Sequence, residues 1–141
     1  MTEKNLLGQK PMLSLELAKK IVEAAETEAK KNSWPVVIAV VDDGGHLLCL
    51  HRLDEAQHGS VEIAMRKAKS AVAFKRPTKS WEEALAGGRQ GVLGLTGVVP
   101  SEGGVPLTYQ GKIIGAIGVS GVKPNEDGQI AKAGATVLGV S

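Results

Sequence analysis

The chain has 141 residues, a single cysteine, 43% hydrophobic and 3% aromatic residues, and a formal net charge of +2. That length can bury a core without a disulfide or structural metal, and Cys49 alone cannot make an internal disulfide, so one domain over residues 1–141 in a reducing, cytoplasmic setting is expected. So weak a basic bias and so few aromatics argue against a nucleic-acid surface, and no apolar run approaches the roughly 20 residues of a membrane-spanning helix.

Taken in order, Ser14 precedes Leu15-Glu16-Leu17-Ala18 as an N-cap, with Glu16 favourably placed in the first turn. Leu17, Ile21, Ala24 and Ala25 recur at helical spacing to about Asn32, and Pro35 ends the segment. Val36–Val41 is wholly apolar and rich in β-branching, which predicts a strand covered on both faces. Asp42-Asp43-Gly44-Gly45 then reverses the chain into a second strand, His46–Leu53. From about Gly59 to Lys75 the spacing predicts a helix whose alanines allow close approach to a sheet, stopped by Pro77. Ser80 and Glu83 spell a capping box for a short helix ending at Gly87-Gly88. Gln90–Val99 reads either as a short edge strand or as a packed loop.

Val105–Tyr109 and Lys112–Ser120, joined by Gln110-Gly111, read as a hairpin whose second strand lies near the middle of a sheet. Gly115, Gly118 and Gly121 recur every third residue, out of phase with strand alternation, and suggest close packing first and a ligand surface second. A last helix opens near Pro124 with Asn125 as cap and Ile130, Ala133, Val137 and Leu138 inside. This order predicts an α+β fold: an antiparallel sheet of about five strands with helices on both faces.

Chemistry centres first on His46, His51 and His58, which lie within 13 residues, with Cys49 between the first two. Strand alternation sends His46 to one face and Cys49 and His51 to the other, so a four-ligand zinc site does not close. Haem asks for less: one or two axial ligands, an apolar slot, and cations or amides for the propionates. His51 or His58 could supply the axial nitrogen, and Arg52 with Lys67 or Lys69 could meet the carboxylates. Arg52 and Asp54 read either as a same-face ion pair or as ligand-facing charges. Arg66, Lys67, Lys69, Lys75, Arg76 and Lys79 form an acid-free run that reads mainly as a solvated helix face. Gly103-Gly104-Val105-Pro106 could bring main-chain N–H groups to a ligand or simply make a turn. Neither a phosphate loop nor a serine-hydrolase motif occurs, and Cys49 reads as inert core.

Several segments together resemble the GlcG/HbpS family, which includes the C-terminal domain of PduO-type corrinoid adenosyltransferases. They are Asp42-x-Gly44-Gly45-His46, His51-Arg52-x-Asp54, the Ile63-Ala64…Lys67-Ala68…Ala71 helix, Pro77-Thr78, Gly103-Gly104-Val105-Pro106 and Gly118-Val119-Ser120-Gly121, within about residues 13–139. The resemblance implies a profilin-like layout, haem or a related tetrapyrrole as ligand, and a homo-oligomer. On that basis the binding residues are His51, Arg52, His58, Lys67, Gly103, Gly104 and Pro106, with His58 as the metal ligand. A binding protein is the leading expectation. The alternatives are a haem-degrading or redox enzyme, and an auxiliary protein of corrinoid-dependent diol or glycerol metabolism with no cofactor of its own.

Overall fold

The run Val37–Asp42 is a strand, β1, and its side chains from Val37 to Val41 are fully buried in the computed structural model, which describes residues 3–139. It lies inside a four-stranded antiparallel sheet with β2 (Leu47–Arg52), β3 (Gly104–Tyr109) and β4 (Lys112–Ser120), in the order β2-β1-β4-β3. The fold is α+β as expected, with four strands rather than about five. The ambiguous segment Gln90–Gly94 is a 3-10 helix, and its Val92 packs with Trp81 and Val98 in a small satellite core instead of extending the sheet.

Alternation divides the core into two layers. Val36, Ile38, Val40, Ile117 and Val119 face α1 (Leu15–Lys31) and α4 (Pro124–Ala135), whereas Val37, Ala39, Val41 and Ala116 face α2 (Gly59–Phe74). Ser14 caps α1 as expected, accepting a 3.1 Å hydrogen bond from the Leu17 N–H. Two other caps differ from expectation. The short helix α3 (Lys79–Ala86) follows Thr78 rather than Ser80, because Thr78 Oγ1 is committed to the Gly104 N–H at 2.8 Å and fixes where the helix begins. Lys123, not Asn125, precedes α4, and the Glu126 carboxylate returns to the Lys123 N–H at 3.2 Å. The helix ends at Ala135, so Val137 and Leu138 lie in a 3-10 turn, with Val137 exposed.

The glycines of β4 pack closely, as their phase suggests. A Cβ on Gly118 would strike the backbone of Ala64 and Ala68 on α2, and one on Gly115 would meet the Val41 carbonyl and Leu13. Gly118 also pairs with Gly104 of β3, so the sheet is thinnest where α2 crosses it.

Lys67 of α2 is buried to 2% exposure beside this crossing, and its Nζ donates to the Val119 carbonyl at 3.0 Å and to Asp127 Oδ2 at 3.1 Å. Asp127 Oδ1 accepts from the Val122 N–H at 3.2 Å. Burial pushes the Asp127 carboxyl from 3.8 up to about 6, although Lys67 and the Val122 N–H oppose the rise. The folded chain thus holds this proton more tightly than the unfolded chain.

Gly118→Ala should lower unfolding free energy in urea by about 1–3 kcal/mol through overpacking. Gly59→Ala, where a Cβ meets nothing within 4 Å, should stay within about 0.5 kcal/mol. Asp127's contribution to stability should be full below pH 3.8 and lost as pH rises through about 6, with a slope of at most about 1.4 kcal/mol per pH unit. Urea denaturation across that window should show the slope in the natural chain and not in Asp127→Asn; equal slopes would place the carboxyl at its ordinary value.

Candidate functional site

The corner where α1 ends and β2 leaves the sheet holds two adjoining hollows. The larger, about 560 Å³, is lined by Lys30, Ser33, Trp34, Pro35 and the segment Arg52–Glu55. The smaller, about 430 Å³, shares Arg52–Glu55 and adds Ala56 and His58. Local backbone creates the recess. Ser33 takes a left-handed conformation (φ 58°) just beyond α1, and the Trp34 N–H returns to the Ala29 carbonyl at 2.9 Å, which folds the indole back beside the helix end. Glu55, also left-handed (φ 73°), turns the chain away from β2 on the opposite wall.

Charge around the larger hollow is arranged through Glu26. Its Oε2 accepts from Lys30 Nζ at 3.0 Å, and its Oε1 lies 2.9 Å from His51 Nδ1. The hydrogen bond from His51, aided by Lys30 and opposed by partial burial, holds the Glu26 carboxyl below the usual range. Arg52 is exposed, and among the described residues it makes no ion pair with Asp54, so the same-face pair considered for these two does not form. The guanidinium is left available to a ligand.

The expected binding residues therefore fall into separate places. Arg52 and His58 line one hollow together. His51 points toward α1, half-buried against Glu26. Lys67 is not part of a solvated helix face; its ammonium is enclosed and donates to Asp127 and Val119. Arg66, Lys69, Lys75, Arg76 and Lys79 are exposed, and Arg76 sits 4.6 Å over the Trp81 ring. Gly103 and Gly104 make their close approach to α2. A Cβ on Gly103 would lie 2.8 Å from Lys67 Nζ, one on Gly104 would lie 2.8 Å from Thr78 Cγ2, and the Gly104 N–H is taken by Thr78. Pro106 lines a third hollow, about 230 Å³, with Lys132 and Thr136.

His46 is exposed, with Nδ1 3.4 Å from Asp42 Oδ1, and burial pushes the Cys49 thiol up. Among the described residues no group of three or more His, Cys, Asp or Glu side chains comes together. Glu26, Lys30 and Trp34 were not singled out in the sequence. The signals available for them were an i, i+4 acid–base pair on the last turns of α1 and a tryptophan directly before the proline that ends it.

Comparison with known proteins is consistent across sequence and structure. A family model described as haem degrading protein HbpS-like matches residues 13–136. Protein GlcG of Escherichia coli K12 is 45% identical over 108 residues, 77% of this chain and 81% of its own length. A crystal structure of a Streptomyces reticuli HbpS double mutant superposes with a TM-score of 0.86 at 38% identity, covering 96% of this chain and 92% of that one. The crystal structure of a PduOC–haem complex gives 0.82 at 30% identity, covering 93% and 98%. No described helix is long and apolar enough to cross a membrane. With the family model spanning residues 13–136 and GlcG at 45% identity, the chain belongs to the HbpS-like family.

Proposed function

We propose that this chain is a haem-binding protein that self-associates and works in the cytoplasm, with the larger corner hollow as the haem site. The observation that carries the reading is the composition of that hollow: Trp34, Pro35 and Leu53 give it an apolar wall, and Lys30 and Arg52 put two cations at its margin, beside Asp54 and Glu55. A porphyrin needs that combination, an apolar slot for the ring and positive charge for the propionates, and about 560 Å³ is within the usual range of small-molecule sites. Imidazoles stand on both flanks, His58 in the adjoining hollow and His51 behind Glu26. The haem in the PduOC complex, a structure 30% identical with this chain, supports the choice of ligand. Bound haem would supply one-electron and small-ligand chemistry at iron; this chain's residues would shelter the ring from water and neutralise its acids.

A second reading, haem degradation, is favoured by the description attached to the family model. It requires an external reductant, and turnover of bound haem in the presence of one separates it from simple binding.

Haem titration followed by the Soret band should saturate at a fixed stoichiometry for the natural chain. Trp34→Ala and Arg52→Glu should each weaken binding about tenfold or more, which corresponds to about 1.4 kcal/mol. Lys112→Glu, at an exposed position on another strand, should bind as the natural chain does. Unsaturable absorbance in the natural chain would remove haem as the ligand, and equal affinities across the variants would move the site elsewhere. Sedimentation of the same sample as a monomer would remove self-association.

A further inference from the structure

Two helices end in the same way and bring an arginine to the same ring. After α2, Lys75 takes a left-handed conformation (φ 55°) and the Arg76 N–H returns to the Ala71 carbonyl at 3.2 Å. After α3, Gly88 takes positive φ (101°) and the Arg89 N–H returns to the Ala84 carbonyl at 3.0 Å. Each arginine thus directly follows the residue that stops a helix, and a hydrogen bond back into that helix fixes its backbone. The two guanidiniums lie 4.6 and 5.8 Å from the centre of the Trp81 ring, and Arg76 Nε also donates to the Phe74 carbonyl at 3.1 Å. The ring is held in turn: Trp81 is 5% exposed, stands T-shaped to Phe74 with centroids 5.6 Å apart, and packs with Val92 and Val98.

Both arginines are exposed, and neither makes an ion pair among the described residues. Stacking on an aromatic face occupies only the flat side of a guanidinium, so its in-plane N–H donors stay free. Two like charges drawn to one ring also repel, and an anion shared between them relieves that repulsion. The ring carries a cost of its own, because its Nε1–H is buried without a partner among the described residues. Phenylalanine would avoid that cost, but tryptophan is the strongest platform for a cation.

We infer that Arg76 and Arg89, presented by Trp81, form a binding site for a doubly charged oxyanion, a phosphate monoester or a dicarboxylate. Each guanidinium offers parallel N–H donors that match two oxygens of a phosphate or carboxylate group, and such paired contacts fix orientation as well as charge. None of the three residues lines the hollows described above, so the site is separate from the proposed haem site and either can fail alone.

The test titrates the full chain with phenyl phosphate, succinate and acetate at constant ionic strength and at a pH above the second phosphate pKa of about 6, following the arginine Nε–H signals by ¹⁵N NMR. With phenyl phosphate or succinate the Arg76 and Arg89 signals should move together to saturation; the tighter of the two identifies the class, and acetate should not saturate. Arg76→Gln and Arg89→Gln should each weaken binding about tenfold or more, as loss of a charge-assisted contact requires. Arg89→Lys, which keeps the charge and loses the fork, should recover little of that affinity. Lys69→Gln removes an exposed cation elsewhere on α2 and should stay within about twofold of the natural chain. Trp81→Phe, with its fold checked by urea denaturation, should weaken binding and leave the two arginine signals moving independently. Saturation by none of the probes, equal binding of acetate, full affinity in Arg89→Lys, or an equal loss in Lys69→Gln would each overturn the site and leave only diffuse attraction to a basic surface.

Discussion

The enclosed contact among Lys67, Asp127 and the Val119 carbonyl is the constraint on which the rest of the structure depends. It joins three elements at one point: α2 on one face of the sheet, the end of β4 within it, and the start of α4 on the other face. Removing two charges from water costs more than their attraction returns unless every lone pair is used, and the upward displacement of the Asp127 carboxyl shows that desolvation prevails here. The contact therefore contributes definition more than stability. It is satisfied only when both helical layers and the Gly103 entrance to β3 are in register, so misaligned packings would leave an ammonium stranded in apolar surroundings.

That arrangement also explains why the corner hollow lies where it does. The end of the molecule near Lys67 is closed by glycine-mediated contact, with α2 lying directly on Gly104 and Gly118. β2 is an outer strand in the order β2-β1-β4-β3, and α1 stops at Lys31. The space left between the helix end and the departing strand has walls fixed by structured elements on both sides. Its apolar lining comes from Leu53 and from the connection that sequence patterning treats as punctuation, Trp34-Pro35; its cations come from the last turn of α1 and the last residue of β2, and its carboxylates, Asp54 and Glu55, from the segment that follows.

Much of the fold is legible in the residues. Periodicity, the Ser14 cap, the apolar run of β1 and the glycine spacing of β4 each specify a local structure that tertiary packing then uses. The failures have identifiable causes. Gln90–Gly94 has apolar residues suited to a strand, but its glycines and the nearby Trp81 draw it into a satellite core. The Ser80 cap gives way because Thr78 is needed by Gly104, a residue 26 positions away, and such a demand is invisible locally. For the candidate site, histidines and arginine attract notice by type, which is why His51, Arg52 and His58 stand out in the sequence. Glu26, Lys30 and Trp34 are ordinary on a helix and beside a turn; only the fold sets them against β2. Lys67 is the reverse case, since its neighbours Arg66 and Lys69 suggest solvent, while a helical turn of 3.6 residues directs it inward.

Both rims of the sheet are blunted. β3 carries Pro106, which has no N–H to offer, and β2 bulges at Leu48, where the pairing steps from Val40↔Cys49 to Val41↔Leu47. Two copies of this chain are therefore poorly suited to fuse their sheets into one continuous ribbon, while Leu6, Leu7 and Met12 of the leading segment stand 74%, 76% and 83% exposed. Sheet rims of this kind resist the open-ended strand stacking that leads to fibrils.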